Sequence, residues 1–310
     1  MKYNLVGDNM YINMLSDYLK DTFGEKLYRI SLDGGMTCPN RDGTCGNKGC
    51  IFCSENGSGE FTPDKYLSIN SQIEIGKSLV SHKTKSEKFI AYFQAFSNTY
   101  APVDYLRKLY FSVIYREDIA VLSIATRPDC INEDVLALLK ELNLIKPVWV
   151  ELGLQTSNEK TAEFIRRGYK NEIYERAVRE LKKVGCKVVT HIILGLPYEN
   201  KDDMINTALF VGTLSDAVKF HMLYILKNTD LAKLYEDSRF NLLTQEEYID
   251  VLCQCIRVIP KNVIIHRLTG DADKKTLIAP MWSANKKKVL NEILNALKDR
   301  DVIQGEKLAR

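Results

Sequence analysis

Short apolar runs rich in β-branched residues recur along the chain, alternating with stretches whose apolar positions repeat every three to four residues. The runs fall at 28–32, 88–94, 118–125, 147–153, 187–194 and 217–226. Strand-length segments separated by helical ones predict βα units and a mainly parallel sheet, because a parallel neighbour is reached only through a crossover. The helical segments carry their own boundaries. Asn171 is expected to cap a helix whose Ile173, Ala177 and Leu181 share a face, with Gly185 ending it in the left-handed region. Thr244 and Glu247 form a capping-box pattern ahead of a helix holding Tyr248, Val251, Leu252 and Ile256.

A length of 310 residues suits one large domain with elaborated ends. The pattern predicts an N-terminal helical extension over 1–27, the βα core over 28–240, and a C-terminal basic extension over 241–310 packed on that core. With 45% hydrophobic and 27% charged residues the chain is neither disordered nor fibrous. Its best apolar stretches, such as Val188 to Leu196, fall well short of the roughly 18 residues of a membrane span. The opening MKYNLVGDNMYINML lacks a charged segment leading into an apolar core, so a cytoplasmic protein without a membrane partner is expected. The net charge is +3, yet residues 261–310 hold 11 Lys+Arg against 6 Asp+Glu, so the basic excess lies in the tail.

One segment breaks the compact pattern. Residues 33–66 form a Gly/Asn/Asp/Cys-rich loop of a length that, inside a compact domain, is usually functional or disordered. Four of the eight cysteines lie here, as Cys38, Cys45, Cys50 and Cys53. In a reducing compartment such a group points to ligands or nucleophiles. Three chemistries compete: a four-thiolate zinc knuckle, a thioredoxin-like redox pair at Cys50 and Cys53, and a [4Fe-4S] cluster held by three thiolates. Zinc ribbons usually pair two CxxC knuckles, whereas Cys38 and Cys45 are separated by six residues. A redox CxxC would open a helix without distant cysteine companions. A three-thiolate cluster leaves one iron open, and a loop after the first strand would set it at the C-terminal mouth of a βα barrel, where such barrels place their active sites.

The loop, with an aromatic residue (Phe52) before the last cysteine, resembles that of the radical S-adenosylmethionine (SAM) superfamily. More narrowly, the segments CPNRDGT, GCIFC, AYFQAFSNTYAP, ATRPDC, ELGLQT, RRGY, GLPYE, IIHRLTGD and LIAPMWSANK resemble the bacterial YhcC/YtqA-type (MnmL-like) radical SAM proteins. These matches run over nearly the whole chain. The resemblance implies an α/β fold, a partial (β/α)6 TIM-like barrel with a [4Fe-4S] cluster loop after strand 1 and a C-terminal helical extension. It implies an enzyme that reductively cleaves SAM to a 5′-deoxyadenosyl radical, with the cluster and SAM as cofactors and a reductant such as flavodoxin or ferredoxin.

The resemblance maps the cluster ligands to Cys38, Cys50 and Cys53, because Pro39 and Asn40 belong to the motif; Cys45 to Cys50 is the competing spacing. It maps SAM contacts to Phe52, Gln94, Gln155, Arg167 and Gly195. Gln94-Ala95-Phe96 stands where relatives often have Gly-Gly-Glu, and Tyr198 replaces a glycine of the GLPGE turn. Glu151 joins the candidates on its own chemistry. It shares a strand face with Gly153 and Gln155, and a carboxylate inside a barrel needs a partner or a ligand. The bland alternatives are a solvated helix-surface Arg167, an Arg127–Glu151 ion pair, and core roles for His191 and His221. His82 reads as surface, and Cys130, Cys186, Cys253 and Cys255 as packing residues.

Lys286, Lys287 and Lys288 open a predicted helix whose Leu290, Leu294 and Leu297 would pack on the barrel. Cations there oppose the helix dipole, a cost that suggests anion binding and an RNA contact, against a simple solvated run. The resemblance adds tRNA wobble-uridine maturation, conversion of 5-carboxymethylaminomethyluridine to 5-aminomethyluridine. A peptide or metabolite substrate, or a zinc-stabilised RNA-binding adaptor without catalysis, are the other readings.

Overall fold

The structure, a computed structural model, describes residues 12–308. Residues 1–11 of the expected N-terminal extension lie outside the described residues. The chain runs α1 (Leu15–Phe23), β1 (Tyr28–Leu32), α2 (Ile69–Val80), β2 (Phe89–Phe93), α3 (Val103–Ile114), β3 (Ile119–Thr126), α4 (Glu133–Asn143) and β4 (Val148–Gln155). It continues α5 (Glu159–Phe164), α6 (Asn171–Lys183), β5 (Lys187–Leu194), α7 (Lys201–Leu214), β6 (Ala217–Met222), β7 (Ile225–Leu226) and α8 (Asp230–Glu236). The last elements are α9 (Gln245–Val258), β8 (Ile264–Arg267), β9 (Leu277–Ala279) and α10 (Lys286–Asp299).

Seven strands pair in the order β1-β2-β3-β4-β5-β6-β8, each parallel to its neighbour. This is the parallel sheet that the alternation predicts, in the partial TIM-like barrel that the resemblance implies, with one strand more than the six read from the sequence. The seventh, β8, comes from the C-terminal region. Its four residues are too few for a periodicity to show. The apolar run at 217–226 also divides: β6 stays in the barrel, while β7 pairs antiparallel with β9.

Alternation along the strands builds the interior in layers. The first inward residues, Ile90, Val121, Trp149, Val189, Ala217 and Ile264, form one cluster with Leu19 of α1 and Leu27. The Tyr18 ring of α1 lies 6.2 Å from that of Trp149, so this helix plugs the N-terminal end of the barrel. Burying such side chains contributes about 1.5–3 kcal/mol each. The outer strand faces pack under the helices in the main core, which includes Leu122, Val150, Val188 and Val218.

Two helix starts illustrate local logic. Thr244 and Glu247 make the reciprocal capping box expected of α9. Asn171 instead begins α6 as its first residue, behind Lys170, because its amide is engaged with Ser157 (2.7 Å) and Arg167 (3.0 Å).

Candidate functional site

Residues 33–66 connect β1 to α2 without a helix or strand, and hydrogen bonds to the barrel hold them in place. The Arg41 N–H donates to the Cys38 carbonyl (2.8 Å) and the Gly49 N–H to the Asn40 carbonyl (2.7 Å). Gly49 has φ +71°, and a Cβ there would come within 2.9 Å of Arg41 Nε, so the turn requires glycine. The buried Asn40 amide donates to the Arg166 carbonyl (2.6 Å) and to Cys50 Sγ (3.5 Å). Arg41 clamps the far side through the carbonyls of Cys53 and Glu55, each at 3.2 Å. The Ile51 N–H reaches the Ile165 carbonyl (3.2 Å), and the Leu231 N–H returns to the Ile51 carbonyl (2.9 Å).

This pinning brings Cys38, Cys50 and Cys53 onto the wall of a cavity of about 290 Å³. Cys45 is exposed and takes no part in that lining. Burial pushes the Cys53 thiol up to about 12, the Cys50 sulfur adds to this, and Arg41 opposes it. Burial likewise raises Cys50, against the pull of Arg127. Buried thiols of this kind ionise when a bound cation supplies the missing charge. Among the described residues no three Cys, His, Asp or Glu side chains converge on one point. Three thiols on one cavity wall are a donor set that fits a [4Fe-4S] cluster.

Below the cysteines the strands contribute a charged layer, resting on the apolar plug. Glu151 of β4 is 1% exposed. It accepts hydrogen bonds from Ser123 (2.7 Å), from His191 Nε2 (2.7 Å) and from Lys219 of β6, with Arg29 of β1 at 3.7 Å. Burial alone would raise the Glu151 carboxyl, but Lys219, Arg29 and His191 outweigh it and hold the group well below the usual carboxylate range. Burial, aided by Lys219, lowers His191 to about 4 against the pull of Glu151, so the ring is neutral near pH 7. It stacks on His221 at 5.1 Å.

Phe52, Gln94, Glu151, Gln155 and Arg167 all line the same cavity as the three cysteines. Gln94 donates to the Ser58 carbonyl, and Gln155 takes a positive φ of 66° at the end of β4. Arg167 is buried at 1% exposure rather than solvated. Its fork is engaged by the carbonyls of Tyr169 (2.9 Å), Leu154 (3.3 Å) and Thr156 (2.7 Å), by Asn171 (3.0 Å) and by Glu159 (3.4 Å). In this arrangement it staples the end of β4. Gly195 lies outside the lining, and a Cβ there would meet Leu243.

The Arg127–Glu151 pair, the alternative to a ligand role for Glu151, is not formed. Arg127 instead pairs with Asp129 (2.6 Å) and donates to the Arg167 carbonyl (2.8 Å), while Glu151 is neutralised by Arg29 and Lys219. Lys286, Lys287 and Lys288 begin α10 and do not themselves line the cavity. The helix start is capped by Asn285 (3.2 Å to the Lys288 N–H), and Lys286 pairs with Asp271 at 2.5 Å. Cys130, Cys186, Cys253 and Cys255 are buried, and His82 is exposed.

Sequence reasoning passed over Arg29, Lys219 and Arg267. The signal that exposed Glu151 applies to them too: a charge inside a buried parallel strand, where apolar runs are the rule, needs a reason.

The profile of the Radical SAM superfamily matches residues 43–211, and that of the Radical_SAM C-terminal domain matches 215–299. The chain is 44% identical over 293 residues to the uncharacterized protein YtqA of Bacillus subtilis, covering 94% of this chain and 91% of the relative. It is 36% identical to protein YhcC of Escherichia coli, covering 96% of each. A more distant relative, a tRNA uridine(34) acetyltransferase of Methanocaldococcus jannaschii, is 26% identical over 53% of this chain and 30% of its own length. The structure of Methanocaldococcus infernus Elp3 with an N-terminal deletion shares the fold at TM-score 0.66 and 16% identity, over 89% of this chain and 63% of that one.

Proposed function

Because the chain belongs to the radical SAM superfamily, as an enzyme with a [4Fe-4S] cluster and S-adenosylmethionine for cofactors, we propose that it modifies tRNA at the wobble uridine. The specific reaction proposed is conversion of the 5-carboxymethylaminomethyl group to 5-aminomethyl. The observation that carries the enzymatic part is the gathering of Cys38, Cys50 and Cys53 on one cavity wall with Cys45 left outside. When bound, the cluster and SAM supply a one-electron cleavage that releases methionine and a 5′-deoxyadenosyl radical.

The chain's own residues hold and shield. Cys38, Cys50 and Cys53 would hold the cluster, and Asn40 and Arg41 fix the loop that carries them. Phe52, Gln94 and Gln155 form the adjoining wall proposed to contact SAM. Gly195, assigned to SAM on the same resemblance, would act only as the turn after β5. Glu151, anchored by Lys219 and Arg29, keeps its carboxylate ionised beneath the cavity, and α1 closes the barrel floor against water.

The uridine reading is supported by the relative named for uridine 34 and by the basic tail. Lys287 and Lys288 at the exposed start of α10 are proposed to meet the tRNA backbone, with Lys286 contributing less because Asp271 holds it. A flavodoxin- or ferredoxin-type reductant would deliver the electron. The test is anaerobic reconstitution followed by a SAM-cleavage assay with and without tRNA, and analysis of wobble nucleosides in tRNA from cells lacking the gene. Accumulation of 5-carboxymethylaminomethyluridine in those cells is expected; an unchanged nucleoside pattern overturns the substrate assignment.

A further inference from the structure

The lower part of the cavity holds polar groups that the charged layer does not use. Arg267, at the end of β8, lines the cavity yet makes no side-chain hydrogen bond or ion pair among the described residues. His221 Nε2 and the Tyr224 hydroxyl, both in the same lining, are buried without a partner. A buried polar atom left unpaired costs about 1–3 kcal/mol, so two such atoms, His221 Nε2 and the Tyr224 hydroxyl, beside an unpaired Arg267 in one cavity lining need an account.

Their surroundings set the sign of the missing partner. Arg29, Lys219 and Arg267 lie around the strand carboxylate Glu151, which Lys219 and Arg29 already engage, while the loop carboxylates Glu60, held by the Ser54 hydroxyl, and Asp273, held by the Lys275 N–H (3.2 Å), also line the cavity. Burial pushes His191, His221 and His266 down, so the rings add no charge near pH 7. Asp271 also lines the cavity but is turned to Lys286 at 2.5 Å. The result is a basic pocket floor with an open guanidinium fork, beside a neutral imidazole whose Nε2 has no partner and a phenol whose hydroxyl is free to donate. That set matches a carboxylate, whose two oxygens take a parallel pair of bonds from arginine and further bonds from neutral donors.

We propose that Arg267, with His221 Nε2 and the Tyr224 hydroxyl, forms a carboxylate subsite that grips the substrate group drawn into the barrel. The identity of that group rests on the tRNA reading above. A 5-carboxymethylaminomethyl side chain ends in a carboxylate and the 5-aminomethyl product does not, so the subsite holds substrate and releases product. Arg127 and Arg41 serve the cysteine end, and Arg267 acts at the other end, away from the SAM wall.

The test is calorimetric titration of the reconstituted protein with SAM present, and of cluster-free protein, using 5-carboxymethylaminomethyluridine, 5-aminomethyluridine and, as a minimal probe, N-methylglycine. Wild type should prefer the carboxylated nucleoside. Arg267→Gln should lose about tenfold or more of that affinity, as expected for a charged hydrogen bond, and Tyr224→Phe about threefold, with SAM affinity unchanged in both. If Arg267→Gln fails to fold, the Tyr224→Phe comparison decides. Carboxylate affinities unchanged by the substitutions overturn the proposal, and so does a loss confined to SAM, which would assign the subsite to the cofactor's own carboxylate. If N-methylglycine binds wild type and not Arg267→Gln while neither the nucleosides nor tRNA carrying the 5-carboxymethylaminomethyl group bind, the subsite stands and the tRNA reading falls.

Discussion

The two ends of the cavity are built by opposite means. At the cysteine end, sixteen consecutive residues from Cys38 to Cys53 supply the chemistry, and hydrogen bonds from the Asn40 and Arg41 side chains and the Ile51 N–H to backbone carbonyls hold it. At the basic end, Arg29, Glu151, His191, Lys219 and Arg267 come from five strands spread over more than two thirds of the chain, and Glu151 ties three of the others together through ion pairs with Arg29 and Lys219 and a hydrogen bond from His191. The first end is a flexible loop made rigid by its anchors. The second is part of the barrel wall, so disturbing it disturbs the fold. Substitutions should therefore separate: loss of chemistry with little loss of stability at one end, loss of stability at the other.

The largest expected effect breaks the cysteine end alone. Cys50→Ala should abolish SAM cleavage in an anaerobic assay while its thermal midpoint without cluster stays within a few degrees of the similarly treated wild type. Equal losses of stability and activity would erase the distinction between the ends. Next comes the basic end: Glu151→Ala leaves Lys219 buried without its counter-charge and should cost about 3–5 kcal/mol in denaturant unfolding. A cost below about 1 kcal/mol would mean that water or other groups already compensate the pair.

The pH response sharpens the same contrast. His191 has its pKa lowered from 6.5 to about 4, so the unfolded chain binds a proton that the folded chain refuses. Stability is then full above pH 6.5 and falls as pH drops from 6.5 towards 4. His221 and His266 are displaced in the same direction and add to the slope. Glu151, held low, adds its own loss only at more acid pH. Unfolding free energies measured across this range should fall less steeply for His191→Asn; identical slopes would remove the histidine from the account.

The smallest effect concerns the tail. Replacing Lys287 and Lys288 with Ala should weaken tRNA binding several-fold and flatten its salt dependence by up to about one unit of slope per lost phosphate contact. An unchanged slope would leave these lysines as a solvated helix start.

The same contrast explains what the sequence made legible. Five of the six expected strands match to within two residues, because a parallel strand buried on both faces writes itself as an unbroken apolar run. The cysteine loop was legible because its chemistry is local. Glu151 was noticed as a charge inside such a run, but the one partner offered as an alternative, Arg127, is not one it meets, since strand order rather than sequence distance decides which side chains meet across a barrel. The strand β8 went unread because four residues carry no period, and with it went Arg267. Arg167 illustrates the converse: its place in RRGY suggested a ligand contact, and it does line the cavity, but the carbonyls, Asn171 and Glu159 that engage its guanidinium could not be read from the motif.

The central claim is that three particular sulfurs, and not the fourth, hold the cluster and leave one iron open. Iron content after anaerobic reconstitution of Cys38→Ala and Cys45→Ala, side by side, tests it most directly. The account predicts about four irons per chain in the Cys45 variant and a severe deficit in the Cys38 variant. A full complement in the Cys38 variant, with the deficit transferred to Cys45, would contradict it.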